Sequence, residues 1–192
     1  MFIAVPLSAD LKARLVTLQQ EFRLLRVEAT WVREAGFHLT LKFFGEVDSS
    51  LIGPITSCMT TLAQHHHPFS LTVFRVGSFP HESNPRVLWV GVEDVTGALG
   101  QIQQMLDARL TQIGFAAEGR PFAPHLTLAR LKRVPRRDEF LGALKAHRET
   151  VLGQFDVDHI ELVESQLHRS GARYSIVNTV HFSRAIDTSG SR

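Results

Sequence analysis

Four residues, His-Leu-Thr-Leu, occur twice in this chain, at His38 to Leu41 and again at His125 to Leu128, 87 residues apart. A tetrapeptide alone recurs by chance, but here the surroundings recur with it. Shifted by 87 residues, the apolar run from Phe2 falls on the apolar run from Trp89, and Leu51, where a helix begins, falls on Asp138. Each half reads strand, helix, histidine strand, helix, strand. That pattern marks an internal duplication with pseudo-twofold symmetry, which would bring the two tetrapeptides together across an axis.

The elements follow from periodicity. Phe2 to Leu7 is a buried-strand pattern, and Leu11, Leu15, Leu18, Phe22 and Leu25 recur at helical spacing. Asp48, Ser49 and Ser50 supply N-caps for a helix carrying Ile52, Ile55, Met59 and Leu62. A long strand from Phe69 to Phe79, a turn rich in Pro, Asn and Ser, and the run Val87 to Val92 close the first half. Leu99, Ile102, Leu106, Leu110 and Ile113 define the next helix, ending at Gly114. A helix from about Asp138 to Arg148, a strand from about Phe155 to Val163 and a last strand from about Tyr174 to Val180 complete the reading. The expected fold is α+β and bilobal: duplicated lobes whose antiparallel sheets line a central cleft, with helices outside. The expected organisation is one domain over 1–192 made of two intimate lobes, with a flexible tail after about 184.

In a strand, His38 and Thr40 share one face and Leu39 and Leu41 the other. The same holds for His125 and Thr127 against Leu126 and Leu128. With the leucines anchoring each strand, the cleft acquires two imidazoles and two hydroxyls and no motif carboxylate. Hydroxyls can donate to phosphate oxygens, and imidazole exchanges protons near neutral pH. Two facing histidines can divide acid and base roles on opposite sides of a phosphate, as in-line displacement requires. Parity also places Lys42 with His38 and Thr40, and puts Arg130 on the far face from His125 unless a bulge intervenes.

Composition removes other classes. The single cysteine, Cys58, excludes an internal disulfide and a cysteine zinc site, which fits a reducing cytoplasm. The N-terminal apolar run is too short for a membrane span or a signal segment. A net charge of +2 with a pI near 9.0 leaves a weak preference for anionic partners. His65, His66 and His67 read as a solvated loop, since three adjacent histidines cannot all converge on one ion. Arg130, Lys132, Arg133, Arg136 and Arg137 carry enough charge to track an RNA backbone. Trp89 and Phe74 read as core, whereas Trp31, Phe44, Phe79 and Tyr174 are candidates to stack a terminal base. No glycine-rich phosphate loop is present in the sequence, and nothing calls for ATP.

The stretches from Trp31 to Val47 and from Arg120 to Arg133, with Pro85 to Val92 between and Leu162 to Val177 behind, resemble the two-histidine phosphoesterases, specifically their LigT-like branch of RNA 2',3'-cyclic phosphodiesterases, also called the 2'-5' RNA ligase family. The resemblance runs from Phe2 to about Arg184. It implies opening of a terminal 2',3'-cyclic phosphate to a 2'-phosphomonoester without metal or other cofactor. His38 would then be the proton donor and His125 the acceptor, with Thr40, Thr127 and Arg130 holding the phosphate. The chain is further expected to be a cytoplasmic monomer without membrane contact that acts in RNA processing, on RNA ends or nucleotides with a 2',3'-cyclic phosphate. Two alternatives stay open: reversible 2'-5' ligation and cleavage by the same pair, and binding of RNA ends without turnover.

Overall fold

In the computed structural model, nine strands and four helices are present among the described residues, 1–168 and 171–183. In chain order they are β1 (Phe2–Pro6), α1 (Ala9–Leu24), β2 (Glu28–Trp31), β3 (His38–Phe43), α2 (Ile52–Ala63), β4 (Phe69–His81), β5 (Asn84–Glu93), α3 (Ala98–Gln112), β6 (His125–Arg133), α4 (Arg137–Ala146), β7 (Val151–Val157), β8 (His159–His168) and β9 (Gly171–His181). The tail expected after about 184 lies outside the described residues.

The strands form two wholly antiparallel sheets, ordered β3-β1-β8-β9 and β2-β6-β5-β4-β7. The duplication is visible in those orders. β3, β1, β8 and β9 occupy the places of β6, β5, β4 and β7, and β2 is an extra edge strand on the second sheet alone. The fold is therefore the mixed α+β arrangement of duplicated antiparallel sheets that the repeat implies. The two apolar runs correspond two residues away from the 87-residue offset. Ala4 lies opposite Thr40 as Trp89 lies opposite Thr127, so Ala4, not Phe2, is the partner of Trp89. An even shift keeps every side chain on its expected face.

The helices exchange between sheets. β1 belongs to the four-stranded sheet, yet the helix it feeds, α1, packs beside β7 of the other; β5 belongs to the five-stranded sheet, yet α3 packs with α2 beside β3. Neither lobe is a contiguous stretch of chain. α1 forms because Ser8 caps it, accepting from the Leu11 amide at 3.3 Å, and because Leu11, Leu15, Leu18 and Phe22 recur on one side. That side is fully buried, and Phe22 meets Phe140 of α4 edge to face at 5.7 Å. Such a pair contributes about 1 kcal/mol beyond the area it removes from water. Asp48 caps the short turn Ser49–Leu51 that leads into α2, accepting from the Ser50 amide at 2.8 Å. α3 ends as its sequence requires, with Gly114 at a φ of +98°.

The single strand expected from about Phe155 to Val163 is two strands, β7 and β8, in different sheets, broken at Asp158. Among the described residues, no helix is long and apolar enough to cross a membrane.

Candidate active site

β3 and β6, the two histidine strands, approach each other at the junction of the sheets. Both carry a β-bulge at the same place. On β3, Ala4 pairs with Thr40 and Ile3 with Lys42, so Leu41 has no opposite number; on β6, Trp89 pairs with Thr127 and Leu88 with Ala129, so Leu128 has none. The burial pattern records the same event, two consecutive buried residues in each strand, Leu41 with Lys42 and Leu128 with Ala129. A bulge reverses the facing of everything after it.

Arg130 therefore rejoins the face of His125 and Thr127, and is exposed there, paired across to Val87 and Thr30. Phe43 occupies the matching place beyond His38 and Thr40. Lys42 is turned the other way, which corrects the parity reading that placed it beside His38. Its ammonium is buried and donates to Asp107 Oδ1 at 2.7 Å and to the Ala116 carbonyl at 2.7 Å, with Glu118 Oε1 at 3.4 Å. Asp107 also accepts from the Glu118 amide at 3.2 Å and 3.1 Å. Burial alone would push the Asp107 carboxyl up; the Lys42 and Glu118 hydrogen bonds and the Lys42 charge outweigh it and hold the group below the usual carboxylate range. This network ties β3 to the segment that delivers β6.

His38 sits in an aromatic corner. Phe2 stacks on it at 4.4 Å with an interplanar angle of 24°, and Tyr174 meets it edge-on at 5.6 Å. Phe2, Ala4 and Val163 form a small apolar cluster on this face, apart from the main core. Burial there disfavours the charged imidazolium, and the Lys12 ammonium adds repulsion, so the His38 pKa falls to about 4. The free protein holds His38 neutral at pH 7.

His125 is oriented by the backbone: its Nδ1–H donates to the Ala123 carbonyl at 2.7 Å. That bond sets the tautomer of the neutral ring and leaves its Nε2 as the accepting nitrogen. Phe79 lies edge-on at 5.0 Å and Trp89 at 6.5 Å. Thr40 and Thr127 are half-buried, and their hydroxyls have no protein partner among the described residues.

Trp89 is the main surprise among the aromatics. It is half-buried rather than core, because it shares the face of Thr127 and lies flat over Gly77, where a Cβ would fall 2.4 Å from the indole. A glycine inside an apolar strand signals such close approach, so Gly77 held the clue. Beside it, Arg75 stands at a bulge of β4 with φ +59°, its guanidinium 5.2 Å from the Phe74 ring and 5.8 Å from Trp89. Of the four stacking candidates, Phe79 and Tyr174 adjoin the histidines. Trp31 instead packs under Arg23 at 4.6 Å, and Phe44 against Phe115 at 4.7 Å.

The histidine triplet diverges as expected. His65 donates to the Thr61 carbonyl, His66 approaches Met105 Sδ, and His67 donates to the Ser183 carbonyl. In the basic segment, Arg133 pairs with Glu28, Arg136 with Glu139, and Arg137 donates to the Ser83 carbonyl. Arg130 and Lys132 make no ion pair among the described residues, so the charge available to an RNA backbone is smaller than the sequence suggests.

The chain has relatives among known proteins. The chain is 26% identical over 177 residues to an RNA 2',3'-cyclic phosphodiesterase of Methanocaldococcus jannaschii, covering 92% of this chain and 97% of the relative. It is 31% identical over 167 residues to one from Aeropyrum pernix, covering 87% and 94%. A crystal structure from Thermus thermophilus superposes with a TM-score of 0.78 at 26% identity, covering 94% and 96%. Escherichia coli LigT with 3'-AMP shares the fold, at a TM-score of 0.74 and 23% identity over 95% and 97%. The family model described as the 2'-5' RNA ligase superfamily matches residues 10–169, most of the chain including both histidine strands, and the chain belongs to that superfamily.

Proposed function

We propose that the chain hydrolyses terminal 2',3'-cyclic phosphates of RNA to 2'-phosphomonoesters, by acid-base catalysis between His38 and His125 within one two-lobed unit. The observation that carries this reading is the matched pair of bulged strands, which presents His38 and Thr40 on one side and His125, Thr127 and Arg130 on the other. Relatives covering most of the chain are named for this activity.

In the proposed reaction, His125 Nε2 takes a proton from water as the water oxygen bonds to phosphorus. The bond from phosphorus to the 3' oxygen breaks, and His38 delivers a proton to that oxygen. The phosphate stays on the 2' oxygen. Thr40, Thr127 and Arg130 hold the non-bridging oxygens and balance the charge that develops there. Two imidazoles and two hydroxyls lack the carboxylate or thiolate that would complete a metal-ligand set, so this pair is proposed to act without metal.

His38 must carry a proton to act as the acid, and the free protein holds it neutral. The substrate supplies the remedy, because a phosphodiester anion beside the ring favours the imidazolium. The same pair could form and cleave 2'-5' linkages by microscopic reversibility, a reading favoured by the family description. The deciding experiment is phosphorus NMR on a short RNA ending in a 2',3'-cyclic phosphate, incubated with the protein in excess chelator. The expected product is the 2'-monoester. A 3'-monoester would exchange the roles of the two histidines, and no turnover would leave only a binder of RNA ends.

A further inference from the structure

Asp158, His159 and His181 lie together where β7 turns into β8 and β9 ends, and none takes part in the chemistry above. One ligand atom from each falls within 4.8 Å of the others. We propose that these three residues form a binding site for a first-row transition dication of the zinc class, separate from the His38 and His125 pair.

The scaffold that presents them is rigid. His159 and His181 are directly paired across β8 and β9, with ring centroids 5.0 Å apart, and the Phe182 amide donates to the Asp158 carbonyl at 2.8 Å. Three candidate ligands therefore project from backbone already cross-linked by sheet hydrogen bonds, so little chain ordering is left for the ion to impose. Tetrahedral zinc with bonds of about 2.0–2.1 Å needs ligand atoms about 3.3 Å apart. The ligand atoms already lie within 4.8 Å of one another, and His181 is exposed, with room for its ring to turn.

The surrounding polar groups fit as well. His159 Nδ1 is hydrogen-bonded to Asp158 Oδ1 at 2.5 Å, a bond the ion would replace by taking both atoms as ligands, while its Nε2 faces Glu161 Oε1 at 3.7 Å. With Nδ1 on the metal, Nε2–H is left to donate to Glu161. A ligating histidine backed by a carboxylate on its other nitrogen is the arrangement that orients imidazole on zinc and raises its basicity. Two imidazoles and a carboxylate suit zinc, nickel or copper better than magnesium or calcium, which prefer all-oxygen shells.

The site shares a sheet face with the proposed catalytic residues. Glu161 pairs with Ala4, which pairs with Thr40, so the cluster and the histidine strand β3 are separated by β1. Two strand spacings amount to about 10 Å. A bound dication would stand on the cleft wall, too far from His38 to share ligands with it.

The test is calorimetric titration of the intact protein with zinc chloride. The expected result is one tight equivalent for the unaltered protein, at least tenfold weaker binding in His181→Ala, and about tenfold weaker binding in Glu161→Gln, as for other outer partners of zinc ligands. His181 is exposed, and a melting curve in chelator shows whether the variant remains folded. Should His181→Ala unfold, nitrogen NMR of the histidine rings in the unaltered protein still decides, since zinc should shift His159 and His181 first. The proposal is overturned if no equivalent binds, if both variants bind as tightly as the parent, or if zinc is lost only on replacing His38 or the triplet His65 to His67.

Discussion

Binding of a cyclic phosphate should raise the His38 pKa from about 4 to near 7. At pH 7 a histidine with a pKa of 4 is protonated in about one molecule in a thousand, so charging it costs about 4 kcal/mol. A single phosphodiester charge about 4 Å from the ring, at the effective dielectric constant of about 20 that suits partly buried groups, returns about 4 kcal/mol. The two magnitudes match. On this account the acid is assembled by its own substrate, and an empty cleft does not hold a proton ready. The assay is a pH titration of the histidine ring resonances by NMR, with and without saturating amounts of a slowly cleaved phosphorothioate analogue of the cyclic phosphate, using His38→Gln to assign the signal. A His38 pKa that stays within about half a unit of 4 in the complex would refute the reasoning, and would make His38 the neutral member of the pair.

Three further outcomes follow from the same contacts. Because the folded His38 pKa lies below its unfolded value near 6.5, the unfolded chain binds the extra proton first, and stability is lost as pH falls from about 6.5 towards 4. Unfolding free energies from urea titrations of the parent relative to His38→Gln should therefore diverge by up to about 3 kcal/mol over that window, and parallel profiles would contradict the burial of His38. Lys42→Met removes a buried ammonium from Asp107 and the Ala116 carbonyl. It should cost about 3 kcal/mol in denaturant unfolding, the low end for breaking a buried pair because Asp107 retains some solvent, and a change below 1 kcal/mol would show that the network carries little. Gly77→Ala forces Trp89 off its strand, so tryptophan fluorescence should shift and stability should fall by about 1–3 kcal/mol; an unchanged spectrum would disprove the close approach.

How far the sequence announced this molecule depends on which residues are asked. The repeat of His38 to Leu41 at His125 to Leu128 made the duplicated sheets legible, since a two-residue alternation and a three-to-four-residue helical period are written directly in the order of side chains. The bulges were not legible. Leu41 and Leu128 are ordinary strand residues, and only their register against β1 and β5 reveals that each is the extra one. That single inserted position sends Lys42 to α3 and brings Arg130 round to the face of His125, two outcomes strict alternation reverses. Trp89 escaped for a related reason: an apolar residue in an apolar strand reads as core until Gly77 is placed beneath it. The grouping of Asp158 and His159 with His181 depends on β8 pairing with β9 in one particular register, which no local pattern records. β2 is too short, at four residues, to show a period.

The most direct test of the paired-histidine account is the turnover of an RNA 2',3'-cyclic phosphate by His38→Ala, His125→Ala and the double variant, each shown to be folded and assayed in chelator. A general acid or base contributes about 10² to 10⁴ in rate, so each single variant should lose at least a hundredfold while still binding the phosphate end. The double variant should be little worse than the slower single, because one half of a proton relay is of no use without the other. Losses under tenfold in both folded single variants would contradict the account.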